Sequence, residues 1–99
     1  MTVNVCGIPY HIKELEDNFD TDLHFGDTRY GKAEIHINSG LSDEIKKEAI
    51  CHEMMHGILV HLGYNDLSQD EQFVQAIGNA ICQSFDIKAV EHRTDCQWK

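Results

Sequence analysis

Apolar positions along this 99-residue chain follow one period before position 40 and another after it. In "TVNV" and "YHI" they alternate with polar ones, and "CGIP" offers a turn between the two runs. The segment "LEDNFDTDLHFGD" is polar and irregular. "HFGDTRYGKAEIHIN" then has the pattern of a hairpin closed around Tyr30-Gly31-Lys32. Within "EIHIN", Ile35 and Ile37 point to one face and Glu34, His36 and Asn38 to the other, the mark of a half-buried strand.

At "NSGLSDEIKKEAI" the spacing becomes helical. Ser42 is a suitable N-cap, and Asp43 and Glu44 occupy the first turn, where the helix dipole favours negative charge. Ile45, Ala49, His52, His56 and Leu59 share a stripe, with Cys51, Met55, Ile58 and Leu62 beside it, which predicts a helix over about 43 to 62 that stops near Gly63. A second helix is expected in "LSQDEQFVQAIGNAICQSF": Ser68 and Glu71 have capping-box spacing, and Val74, Ile77, Ile81 and Phe85 form its apolar stripe. After Phe85 the period is lost. The pattern as a whole predicts an α+β fold, a small antiparallel β-sheet of about three to four strands followed by two helices.

Length and composition narrow this further. A chain of this size buries one core, so residues 1–99 are expected to form a single domain, with about 87–99 a frayed tail. The formal charge of −9 is spread along the chain and would repel phosphate backbones, so no nucleic-acid partner is expected. "MTVNVCGIPYHIKELEDNFD" lacks the basic-then-apolar order of a secretory signal, and no window reaches the roughly 20 apolar residues of a membrane span, which together predict a cytoplasmic protein without a membrane partner. Cys6, Cys51, Cys82 and Cys96 form no C-x-x-C pair. Cys51 and Cys82 fall inside apolar helical patterns, as buried structural thiols do.

The chemistry is concentrated in "CHEMMHGILVHLGYND". His52-Glu53-Met54-Met55-His56 is an H-E-x-x-H motif within a segment already helical by its periodicity. Imidazoles four residues apart on a helix sit one turn above one another and can bind one ion, while the intervening glutamate reaches water at that ion without ligating it. His52 and His56 are therefore candidate ligands and Glu53 a candidate general base. His61 lies five residues beyond His56, roughly 140° around the helix, too far to face the same ion. Leu59 and Leu62 occupy the positions where the extended metzincin pattern requires glycine and histidine. A third ligand must come from elsewhere, and an antiparallel helix pair closed by "GYNDLSQ" would supply Glu71, with Asp70 in reserve.

These residues resemble the minimal H-E-x-x-H metallopeptidases of phages and prophages, of the gluzincin type with two histidines and a downstream glutamate. The resemblance runs over roughly residues 2 to 86, through "VCGIPYHI", "GDTRYGKAEIHIN", "KKEAICHEMMHGIL" and "DEQFVQAIGNAICQ". It departs from the usual pattern at Cys51 and in the tail after Ile87. It implies a Zn2+ ion held by His52, His56 and Glu71, and hydrolysis of a peptide or protein substrate by a metal-activated water with Glu53 as the base. The transition-state oxyanion would need a further donor, for which His61, Tyr64, Tyr30 and His36 are available. If "EIHIN" lies at a sheet edge, it would bind an extended substrate by β-addition.

Two rival readings come from the same residues. "HGILVHLGYND" looks like the metal-binding run of a bacterial endoribonuclease family, but the corresponding positions hold His56, Val60 and Asp66, and His61 is shifted by one residue. The other rival is a zinc-binding interaction module without turnover, since catalysis requires substrate access as well as ligands.

Overall fold

The computed structural model describes residues 1–16 and 25–88. Strands β1 (Thr2–Val5), β2 (Ile8–Leu15), β3 (Gly26–Arg29) and β4 (Glu34–Asn38) are followed by helices α1 (Asp43–His61), α2 (Asn65–Ser68) and α3 (Glu71–Ser84). The α+β class holds. The last residues of the expected tail, 89–99, lie outside the described residues, as do His24, His92 and Cys96; residues 85–88 carry no helix.

The sheet order is β1-β2-β4-β3. β1 and β2 form a tight antiparallel hairpin, Val5 opposite Ile8, whose turn residues Cys6 and Gly7 both take positive φ, as a two-residue hairpin matched to strand twist requires. β3 and β4 form the expected second hairpin through a 3-10 turn at Tyr30–Lys32. The expectation of a wholly antiparallel sheet needs correcting, because β2 pairs with β4 in parallel, His11 opposite Glu34 through Leu15 opposite Asn38. Strand alternation is the same in either direction, so the pattern of apolar residues carries no record of it. The same pairing puts β4 inside the sheet, bonded on both sides, which removes "EIHIN" as a strand for β-addition. β3 and β1 are the outer strands.

Val3, Val5, Tyr10, Ile35 and Ile37 project from one face of the sheet and are fully buried against Ala49 and Ile50 of α1. Each large side chain so covered contributes about 1.5–3 kcal/mol relative to exposure. The opposite face is polar, with Lys13 paired to Glu34 at 2.8 Å and His36 to Glu34 at 2.9 Å. His36 is nonetheless only 9% exposed. The strand is thus covered on both faces, more fully than its alternation suggested.

Ser42 caps α1, its hydroxyl accepting from the Ile45 N–H at 3.3 Å, and the helix ends before Gly63, which sits at φ +88° where other residues are strained. The segment read as a simple turn contains α2. α3 is capped by Asp70, whose carboxylate accepts from the Phe73 N–H at 3.1 Å, so the Ser68–Glu71 capping box does not form. Both of its members are engaged elsewhere. α3 packs on α1 through Val74, fully buried, and Gly78, where a Cβ atom would lie 3.3 Å from the Cα of His52. Only a narrow stripe of α3 is covered, and Ile81 (39% exposed) and Phe85 (67%) lie beyond it. Cys51 is buried between the helices, and Cys82, partly buried, lies beside it. Burial first, then the neighbouring Cys82, pushes the Cys51 thiol up to about 12, consistent with an inert packing role.

Candidate metal centre

The close approach at Gly78 sets α3 beside the second and third turns of α1, and the first turn of α3 then faces the H-E-x-x-H segment. Glu71 Oε2 lies 2.9 Å from His52 Nε2, and Glu71 Oε1 lies 3.0 Å from His56 Nε2. The two Nε2 atoms are 3.1 Å apart. His52, His56 and Glu71 thus offer three donor atoms within 4.8 Å of one another, a group that can hold a metal ion.

The outer sides of both imidazoles explain their orientation. His52 Nδ1 is 2.8 Å from Gln75 Oε1, and the Gln75 amide nitrogen donates to Asn79 Oδ1 at 3.1 Å, which fixes the oxygen toward the histidine. A carbonyl oxygen only accepts, so Nδ1 of His52 carries the proton. His56 Nδ1 is 3.1 Å from Ser68 Oγ, whose own hydrogen points to the His56 carbonyl oxygen at 3.4 Å. The hydroxyl therefore accepts from Nδ1–H. In these tautomers the Nε2 lone pairs face each other and a carboxylate. Three such acceptors repel one another unless a proton or a metal ion sits among them, and holding imidazoles by Nδ1–H is how proteins prepare Nε2 for a metal.

Glu53 points the other way from α1, toward the sheet. It is 7% exposed, and its carboxylate accepts from the Thr28 hydroxyl of β3 at 2.8 Å. Burial raises its pKa above the ordinary carboxylate value; the Thr28 hydrogen bond and the nearby His56 and His52 pull it down, and Glu71 pushes it up. A carboxyl raised in this way holds a proton more readily than an exposed one, as a group that exchanges protons must.

Glu53, the two histidines and Glu71 line a cleft of about 510 Å³ between β3, α1 and α3, bordered also by Phe25, Tyr30 and Glu48. Of the four candidate oxyanion donors, Tyr30 alone reaches this cleft. Burial raises its phenol pKa, keeping the hydroxyl protonated, and Ser68 lies close to it. His61 is hydrogen-bonded to the Tyr10 hydroxyl on the β2 side of α1, with its ring edge-on to the tyrosine. His36 is on Glu34, and Tyr64 is an exposed residue of the α1–α2 turn, away from the cleft lining. Asp70, the reserve ligand, is occupied as the α3 cap.

No known family model, curated protein or solved structure matches this chain. The site must be read from its own geometry.

Sequence reasoning missed Thr28, Gln75 and the role of Ser68. Gln75 had a weak signal, since it lies one turn after Glu71 on the same helical face. Thr28 had none, because its contact with Glu53 spans 25 positions and depends on where β3 lies. Among the described residues, no helix is long and apolar enough to cross a membrane.

Proposed function

We propose that the protein is a zinc-dependent peptidase that hydrolyses peptide bonds, with His52, His56 and Glu71 as the metal ligands and Glu53 as the general base. The observation that carries this reading is the pair of Nε2 lone pairs and a carboxylate converging on one point, beside a buried glutamate of raised pKa on an open cleft. Two imidazoles and a carboxylate are a ligand set of hydrolytic zinc sites, in which one coordination position stays open.

Zinc bound there supplies Lewis acidity, polarising a carbonyl and acidifying water. Gln75 and Ser68 hold the imidazoles in the ligating tautomer, and Thr28 fixes the Glu53 carboxylate, which takes the proton from the attacking water and returns it to the leaving amine. Tyr30, protonated and on the cleft wall, is placed to donate to the developing oxyanion. A peptidase is favoured over a non-catalytic zinc module by the cleft, which gives a substrate access to the Glu53 side of the ligands. It is favoured over an endoribonuclease by the carboxylates that line that cleft and by His61 being turned onto Tyr10.

Glu53→Gln tests the assignment. It should retain zinc at wild-type stoichiometry, measured by elemental analysis, and lower hydrolysis of a diverse peptide library by about 100-fold or more. Activity surviving in this variant removes Glu53 from the role of base. Zinc bound by the wild-type protein with no peptide in the library cleaved would support the module instead.

A further inference from the structure

Four carboxylates line the cleft in addition to its histidines: Asp27, Glu48, Glu53 and Glu71. Three are engaged. Asp27 pairs with Arg29 at 2.8 Å, Glu53 accepts from Thr28, and Glu71 faces both imidazoles. Glu48 makes no hydrogen bond or ion pair among the described residues. Its own helix offers it no cation, because Glu44 and His52 are its neighbours one turn away, Lys47 pairs with Asp86 and Lys46 with Glu14. Nor does any lysine or arginine among the described residues line the cleft.

The position of Glu48 is as informative as its lack of a partner. Glu48, His52 and His56 are spaced one turn apart along α1, which sets Glu48 about 6 Å along the helix axis from His52. β3 runs alongside in a defined order: Thr28 touches Glu53, and Tyr30 reaches Ser68 at the His56 end. Phe25, just before β3 and 39% exposed, therefore borders the cleft at the Glu48 end. A half-buried carboxylate without a partner among the described residues and an accessible aromatic ring, at one end of a cleft that no described lysine or arginine lines, have the chemistry that receives an ammonium or guanidinium group through a charge-assisted hydrogen bond and a cation–π contact.

We propose that Glu48 is a specificity-determining residue that makes the cleft select substrates with a lysine or arginine close to the cleaved bond. This rests on the peptidase reading and adds its substrate class: basic segments of polypeptides. The net charge of −9 acts in the same direction, raising the encounter rate with cationic chains.

The test uses peptides with neutral flanks that differ at one position, carrying lysine, arginine, norleucine or glutamate. The zinc-loaded wild-type protein should cleave the lysine and arginine peptides with kcat/KM about tenfold or more above norleucine, the usual scale for a hydrogen bond to a charged group. Glu48→Gln should bring that ratio close to one, and Glu48→Lys should move the preference toward the glutamate peptide. Thermal unfolding of each variant checks that it is folded. Equal cleavage of the lysine and norleucine peptides by the wild type, or an undiminished ratio in Glu48→Gln, overturns the proposal and leaves the peptidase reading standing. If no peptide is cleaved, calorimetry with the Glu53→Gln protein decides. Binding of the lysine peptide over its norleucine counterpart, lost when Glu48→Gln is added, supports selection by Glu48 while overturning hydrolysis; binding indifferent to Glu48 overturns the proposal itself.

Discussion

Helix α1 carries histidines in two opposite situations. At one end of its exposed length, His61 meets the Tyr10 hydroxyl, a group that both donates and accepts and so satisfies either tautomer of the ring. Two turns earlier, His52 and His56 have their Nδ1 protons committed to Gln75 and Ser68, and their remaining nitrogens face only lone pairs and a carboxylate. The first arrangement is complete as it stands and reads as structure. The second is a group that can hold a metal ion. Residue type and helix are the same, so the difference lies wholly in what the neighbouring elements present.

Removing a ligand attacks this comparison most directly. His56→Ala or Glu71→Ala should abolish stoichiometric metal binding, with affinity falling more than about 100-fold, a larger loss than outer partners of ligands cause. His61→Ala should leave stoichiometry unchanged. Metal analysis after dialysis reads both, and the reverse result would exchange the roles of the two ends of α1.

A smaller effect is expected from Gln75→Ala, which frees the His52 ring without touching a ligand. Metal affinity, measured by competition with a chelator, should fall about 10- to 100-fold. An unchanged affinity would mean that the Gln75 hydrogen bond does not prepare His52.

At the other histidine the expected loss is in stability. His61→Ala leaves the buried Tyr10 hydroxyl without its partner and should destabilise the fold by about 1–3 kcal/mol. Pairing it with Tyr10→Phe should recover part of that loss, since deleting both partners removes the unpaired group; denaturant unfolding of the three variants measures the coupling.

The smallest effect separates Asp70 from Glu71. Asp70→Ala removes the cap of α3 and should cost about 1 kcal/mol in unfolding free energy, with metal stoichiometry intact. Lost metal in this variant would return Asp70 to the ligand set.

Much of this was legible along the chain. The local signals held where they concerned one element: the alternation of "TVNV" and "EIHIN", Ser42 capping α1, and Gly63 ending it. His52 and His56 could be placed together because helical spacing alone brings two imidazoles to one side. Glu71 was reached by assuming an antiparallel helix pair, and the contact between α3 and α1 at Gly78 supplies the reason that assumption works. The capping box at Ser68–Glu71 misled because one spacing suits two uses, and the choice between them was made by His52 and His56 on another helix. The parallel β2–β4 pair was invisible for a similar reason, since alternation is indifferent to strand direction.

By itself, then, the sequence determined the secondary elements and the part of the site that a single helix can carry, because periods of two and about 3.6 residues fix which side chains share a face. Only the tertiary structure decided that β4 is internal and β3 borders the cleft, that Asp70 caps α3 while Glu71 turns to the histidines, and that Thr28, Ser68 and Gln75 hydrogen-bond to Glu53, His56 and His52. Those contacts join residues 12 to 25 positions apart. Their partners are chosen by how the elements pack on one another, which no local period encodes.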